Sequence, residues 1–255
     1  FVRAGGHQAA FIPSAVFFLL FALPSFWLIV ERPAALDTSS PAGIVPARSR
    51  DLIRAAFRRL WTTLRHARAY PALWRFFIAS FFSLNAINTI LVFMAVFTKR
   101  VLGFDEGGVI RFFLWGQAFA VLGALVFSRL IPYLGAKHTL MITWAGWIGA
   151  LALAGLSQDV RWMWIVAPII GFCLGSTWST SRVLIIELSP KDQLAEFLGL
   201  AGLLGRASSI FGPLLWGLLV LDPANYRHAV LALMGLLVIG LWLLRRGAEP
   251  RVQVA

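Results

Sequence analysis

Residues 197–220 read FLGLAGLLGRASSIFGPLLWGLLV, a run long enough to cross a bilayer that carries one charge, Arg206, near its middle. A spanning helix needs about 20 mostly apolar residues, and this run supplies them. Counted from Phe197 at about 1.5 Å per residue, Arg206 lies some 13 Å deep, near the centre of a hydrocarbon core about 30 Å thick. At 100° per residue, Gly199, Gly202, Arg206, Ser209 and Pro213 form one stripe, and Leu200, Leu204, Phe211 and Leu215 lie on the other side. The leucine side is expected to meet lipid and the arginine side protein or water.

The rest of the chain agrees with a bilayer as solvent. Of 255 residues, 59% are hydrophobic and 13% charged, against about 25% charged in soluble proteins. The pattern predicts an all-α polytopic membrane protein with seven transmembrane helices, at 11–30, 76–98, 112–132, 139–157, 162–187, 197–221 and 228–244. A formal charge of +12 invites a nucleic-acid reading, but the placement of the charges argues against it. Arg3, Lys99, Arg100, Arg111, Arg161 and Arg227 belong to one side of the membrane, and the more numerous remainder, the mid-span Arg206 aside, to the other. The positive-inside rule puts that larger set in the cytoplasm, so the amino end is expected outside and the carboxyl end inside. The expected location is a plasma membrane, the inner membrane of a bacterium.

Four regions are expected. Residues 1–30 hold an isolated span and 31–75 a cytoplasmic linker, 76–245 form a six-helix bundle, and 246–255 are a tail. The linker opens with a stretch rich in Pro, Ser and Ala. It then places Leu52, Ile53, Ala56, Phe57, Leu60, Trp61 and Leu64 at helical spacing among arginines. This basic amphipathic helix over 50–69 suits an anionic lipid surface, apolar side down; a calmodulin-type target has the same pattern. Small residues punctuate the spans, with GxxxG at Gly171 and Gly175, Gly146 and Gly149 in the fourth span, and Gly199, Gly202, Gly205, Gly212 and Gly217 in the sixth. They allow close helix approach. Pro168 and Pro213 are expected to kink their helices.

A guanidinium at this depth costs at least about 2.5–3.5 kcal/mol and marks a functional site by default. Three readings stand for Arg206. It holds an anionic ligand group, it pairs with a carboxylate on helices outside this chain, or it braces carbonyls freed by Pro213. In the second span Asn85, Asn88 and Thr89 share a mid-membrane face, either as a hydrogen-bonding surface for a polar ligand or as interhelical glue. In the fifth, Trp178 and Ser179 are weaker candidates, since serines there often bond their own backbone; Gln117 is similar. Glu187, Asp192 and Glu196 cluster at one end of the fifth and sixth spans, and no Asp or Glu sits at mid-depth. His7, His66, His138 and His228 lie near boundaries or in the linker, so no metal site, cofactor or hydrolytic triad is expected. Cys173 has no partner for a disulfide.

The segment GSTWSTSRVLIIELSPKDQLAEFLGLAGLLGRASSIFGPLLWG resembles the tenth and eleventh helices of the vacuole-effluxer-like branch of the major facilitator superfamily. The matching positions are Ser181-Arg182, Pro190, Glu196-Phe197-Leu198-Gly199, Arg206 and Gly212-Pro213. FSLNAINTILVFMAVFTKRVLG is similar to that branch's seventh helix, and FSRLIPYLGAKHTLM to the superfamily's loop after the eighth. Two positions depart. Ala86 stands where relatives carry an acidic residue, and Ser128, Pro132 and Tyr133 replace the loop's usual Gly, Asp and Arg, leaving Gly135 and Lys137.

The resemblance implies an incomplete twelve-helix fold, with the sixth helix at 11–30, the carboxyl-terminal half at 76–244, and five helices preceding. It implies a non-enzymatic secondary transporter exporting a small organic solute such as an amino acid, with sugars and drugs as alternatives. Arg206 would engage an anionic group, with Asn85, Asn88, Thr89, Trp178, Ser179 and Ser209 near it. Arg182 and Glu196 would close an inner gate, with Glu187 and Lys137 in the same charged cluster; the plainer reading is that Arg182 snorkels to lipid phosphate. A membrane scaffold or sensor is the reading from a different class.

Overall fold

The structure, a computed structural model, describes residues 11–28, 58, 61–65, 67–157, 159–220 and 226–247. It is helical, and no strand occurs among the described residues. The helices are α1 Phe11–Leu28, α2 Pro71–Arg100, α3 Glu106–Leu134, α4 Ala136–Leu156, α5 Met163–Leu188, α6 Leu194–Leu219 and α7 Tyr226–Arg246. Of the expected seven spans, six are long and apolar enough to cross a membrane, and these are α2 to α7. The first appears among the described residues as a shorter apolar helix, Phe11–Pro24, and residues 29–30 of the expected span lie outside them. The chain divides into two compact units, 1–52 and 53–255. In the first, α1 stacks Phe17 on Phe21 at 5.7 Å.

In the second unit, helix boundaries follow local chemistry. Pro71 presets the backbone at the start of α2. The Asp105 carboxylate caps α3 by accepting from the Gly108 N–H at 2.9 Å. Gly135 makes the α3–α4 turn by itself with φ of 77°, a left-handed conformation that a side chain would strain. Pro132, Pro168 and Pro213 all lie inside helices.

The helices pack in a pattern that maps onto itself. α2 packs on α7 and α6, α5 packs on α4 and α3, and α4 packs on α7. Exchanging α2, α3, α4 for α5, α6, α7 leaves these pairs unchanged. Three crossings are an odd number, so the second trio enters from the opposite side, and the six helices form two inverted repeats. Among these six, α3 and α6 are the most exposed, each resting largely on a single neighbour. The core between the others includes Phe76, Phe77, Ile87, Leu140, Trp144, Trp147 and Leu237.

Glycines set the closest approaches. A Cβ on Gly171 would fall on the Gly116 carbonyl oxygen, one on Gly175 on that of Ala120, and one on Gly123 on that of Phe172. The GxxxG of α5 therefore meets a Gly-Ala-Gly stripe of α3, backbone against backbone. Gly240 of α7 meets Ser83 of α2, and Gly146 of α4 meets the Cys173 sulfur. The remaining α6 glycines behave otherwise. Gly199, Gly202, Gly205 and Gly217 have nothing described within 4 Å of where a Cβ would stand.

The expected lipid side of α6 needs correction. Leu200 is buried and Leu204 packs against the core, whereas Phe211 and Leu215 are exposed. The inward stripe is Phe197, Leu200, Leu204, Ser208, Gly212 and Trp216. Acyl chains are as apolar as leucine, so hydrophobicity does not say which leucines face protein. The linker helix differs in the same way. Among its described residues, helical at 61–65 and 67–68, Ala67 is fully buried, Leu64 packs on the bundle core and Trp61 is exposed. Ala69 lies in a turn, and the rest of the expected 50–69 helix, apart from Arg58, lies outside the described residues.

Candidate functional site

Arg206 stands at the midpoint of the 26-residue α6, about 18 Å along the axis from its start. It is exposed in this chain. Among the described residues it neither donates a hydrogen bond nor joins an ion pair, since the ion pair present there is Lys99–Glu106 at 3.4 Å. The carbonyl of Ser209, which Pro213 leaves without its helical donor, receives nothing from it. The guanidinium thus keeps its planar fork of five donors open.

Beside it lies a polar node joining α6 to α2. The Asn88 amide donates to Ser209 Oγ at 3.0 Å and to Ser208 Oγ at 3.2 Å. The Gly205 carbonyl accepts from Ser208 Oγ at 2.7 Å and from Ser209 Oγ at 3.1 Å, with the Asn88 nitrogen at 3.5 Å. Asn88 is half-buried and Ser209 exposed. With both amide hydrogens turned to α6, Asn88 keeps Oδ1 as an acceptor without a described donor.

Asn85 and Thr89 take another position. Both are buried in the α2–α6 seam, where a Cβ on Gly212 would fall on Thr89 Oγ1. Asn85 Nδ2 donates to the Phe81 carbonyl at 2.7 Å and Thr89 Oγ1 to the Asn85 carbonyl at 2.6 Å, so both turn back on their own helix. Asn85 Oδ1 is buried without a partner. On α5, Ser179 donates to the carbonyls of Gly175 and Ser176, both at 3.1 Å, as expected of a serine in a helix. Trp178 is exposed, and so is Gln117 on α3.

The basic end of the bundle holds the remaining candidates. Lys137 donates to the Gly247 carbonyl at 2.7 Å, and Arg75 to the Arg246 carbonyl at 3.2 Å. Two cations thereby cap the negative end of α7 and tie it to α2 and α4. The expected Arg182–Glu196 pair is not formed in this structure. Glu196 instead accepts from Thr63 Oγ1 at 3.2 Å, while Arg182 and Glu187 are exposed without a described ionic partner. The linker helix presents that hydroxyl at the first turn of α6.

Sequence reasoning missed a buried polar network between α4 and α5. Thr143 Oγ1 lies 2.6 Å from Ser176 Oγ, which is 3.3 Å from Thr180 Oγ1, and Trp147 Nε1 donates to Thr177 Oγ1 at 3.1 Å. The available signal was the i, i+4 spacing of Thr139, Thr143 and Trp147 opposite Ser176, Thr177 and Thr180. These bonds hold two helices together and leave no open donor for a ligand.

Comparison with known proteins agrees with this architecture. Residues 6–251 match the family described as vacuole effluxer Atg22 like. An uncharacterized MFS-type transporter, YxiO of Bacillus subtilis, is 26% identical over 74% of this chain and 44% of its own length. Autophagy-related protein 22 of Kluyveromyces lactis is 26% identical over 92% of this chain and 50% of its own. The chain thus spans about half the length of the curated relatives it matches. In fold it is similar to the crystal structure of a bacterial homolog to the human lysosomal transporter Spinster, in an inward-facing and unoccupied conformation. That similarity has a TM-score of 0.52 at 19% identity, covering 100% of this chain and 64% of the other. With the family match running over nearly its whole length, this multi-pass membrane chain belongs to the vacuole effluxer Atg22-like family.

Proposed function

We propose that the protein is a secondary transporter that exports a small organic solute by alternating access, with the solute bound at mid-membrane between this six-helix half and further helices. The observation that carries the reading is the Arg206 guanidinium, open at the midpoint of a span and beside the Asn88–Ser208–Ser209 node. A charge at that depth is costly, and a ligand with an anionic group offsets the cost through paired, charge-assisted hydrogen bonds. Asn88 Oδ1 and Ser209 supply neutral contacts, Asn85 and Thr89 back them from within the seam, and Trp178 and Ser179 stand on α5. An amino acid carries the required anionic group and is the substrate that the family resemblance favours. The bias of Lys and Arg toward one end favours an orientation with that end in the cytoplasm, the membrane is a plasma membrane in this reading, and the arginines between residues 50 and 69 favour anionic lipid there.

The test is flux in vesicles loaded with radiolabelled amino acids, other organic anions and neutral sugars. Arg206→Leu should abolish flux of anionic solutes while insertion and expression persist, and Arg206→Lys should keep a weakened flux. Unchanged flux in Arg206→Leu would remove the residue from the route.

A further inference from the structure

The Glu196-Phe197-Leu198-Gly199 stretch opens α6, and its first two side chains are both occupied. Phe197 is fully buried, with its ring 5.9 Å from that of Tyr70 and 6.5 Å from that of Phe77. Tyr70 is the residue that precedes α2. Glu196 accepts from Thr63, and Thr63 and Ala67 are buried where the linker helix meets the bundle. The linker helix, the start of α2 and the first turn of α6 therefore meet at one point. Farther along, α6 stays on α2 through the Asn88 node and through Phe93 stacked on Trp216 at 5.1 Å and 10°. Its contacts with α5 and α7 are slight.

We infer that Glu196 and Phe197 are positioning residues that clasp the linker helix to α6, so that the linker, α2 and α6 move as one body and carry Arg206 at a fixed depth. This rests on the transport reading above. The clasp stays closed through the transport cycle, and Glu196 acts in it as a hydrogen-bond acceptor; its charge is not what the clasp uses.

The experiment uses the protein reconstituted in liposomes. Thr63→Cys with Glu196→Cys is joined by a short bifunctional thiol reagent, and the loss of two free thiols is counted by maleimide labelling; Cys173 is buried and is counted separately in the parent protein. The joined protein should transport at the unjoined rate. Failure to join, or transport that stops on joining, overturns the clasp. Thr63→Val and Glu196→Ala should each speed hydrogen exchange at the start of α6 about fivefold, the equivalent of one hydrogen bond lost from the closed clasp. The double variant should exchange no faster than either single one, and Glu196→Gln, which keeps an acceptor, should match the parent. If Glu196→Gln quickens with Glu196→Ala, charge is what matters and the clasp is wrong. Hydrogen exchange over residues 194–200 should quicken in Thr63→Val and Glu196→Ala alone; uniform exchange across all variants also overturns it. Thiol counting and exchange need no substrate. A parent protein without flux for any solute would therefore sink the transport reading and still leave the clasp decided by these two measurements.

Discussion

Gly171→Ala adds one methyl group at the point where α5 lies against α3. The new Cβ would fall on the Gly116 carbonyl oxygen, with the Gly116 carbonyl carbon at 2.8 Å and its Cα at 3.1 Å. These are backbone atoms in the middle of a helix, so no side chain can swing aside and the two helices must part. Overpacking of this kind costs about 1–3 kcal/mol, and here the larger end applies because the seam is shared by Gly116, Ala120, Gly123 and Gly175. Replacing Gly by Ala inside a helix returns about 1 kcal/mol. Gly149→Ala on α4 is the control, since it gains that propensity and meets nothing within 4 Å. The two variants should differ by about 2–3 kcal/mol in unfolding free energy, which is on the order of 4–12 °C in midpoint for a chain of this size. Unfolding in detergent, by heat or denaturant with intrinsic tryptophan fluorescence, reads the difference. If Gly171→Ala is as stable as Gly149→Ala, the backbone contact between α3 and α5 does not exist as described. The reasoning that ties this GxxxG to the Gly116–Gly123 stripe would then be wrong.

Other changes test other joints. Asn88→Ala removes the donor that bridges α2 to Ser208 and Ser209 and should cost about 1–2 kcal/mol in the same unfolding assay; no change would mean the node is not formed. Lys137→Met removes a cation from the α7 terminus, with an expected loss of about 0.3–1 kcal/mol that shrinks in high salt. Trp147→Phe deletes the bond to Thr177, which still donates to the Cys173 carbonyl at 2.8 Å; a loss of about 0.6 kcal/mol is expected beyond the effect of the smaller ring.

Several features were readable before any fold was known because each depends on a short window of residues. A helix must satisfy its own backbone groups in lipid, so apolar length found α2 to α7 to within a few residues at most ends. Arg206 stood out because charge in such a window is rare, and Gly171 with Gly175 because small residues four apart share a face. Other features were not readable. Gly199, Gly202 and Gly205, three apart, also share one helix face, yet they meet no described backbone. Leu200 and Phe211 are equally apolar, and one is buried while the other is exposed. Asn85, Asn88 and Thr89 lie within two turns of one helix, but only Asn88 reaches across to α6 with its side-chain donor.

The sequence by itself determined the solvent, the helices that cross it, the end that gathers the cations, and the presence of one guanidinium at mid-depth. Tertiary structure decided which leucines turn inward, which glycines find a partner, and that Glu196 is taken by Thr63 instead of Arg182. The division has a physical cause. Insertion into lipid is a property of each segment's own composition, whereas facing and pairing depend on other segments distant in the chain, and hydrocarbon tails do not distinguish a leucine against protein from one against lipid.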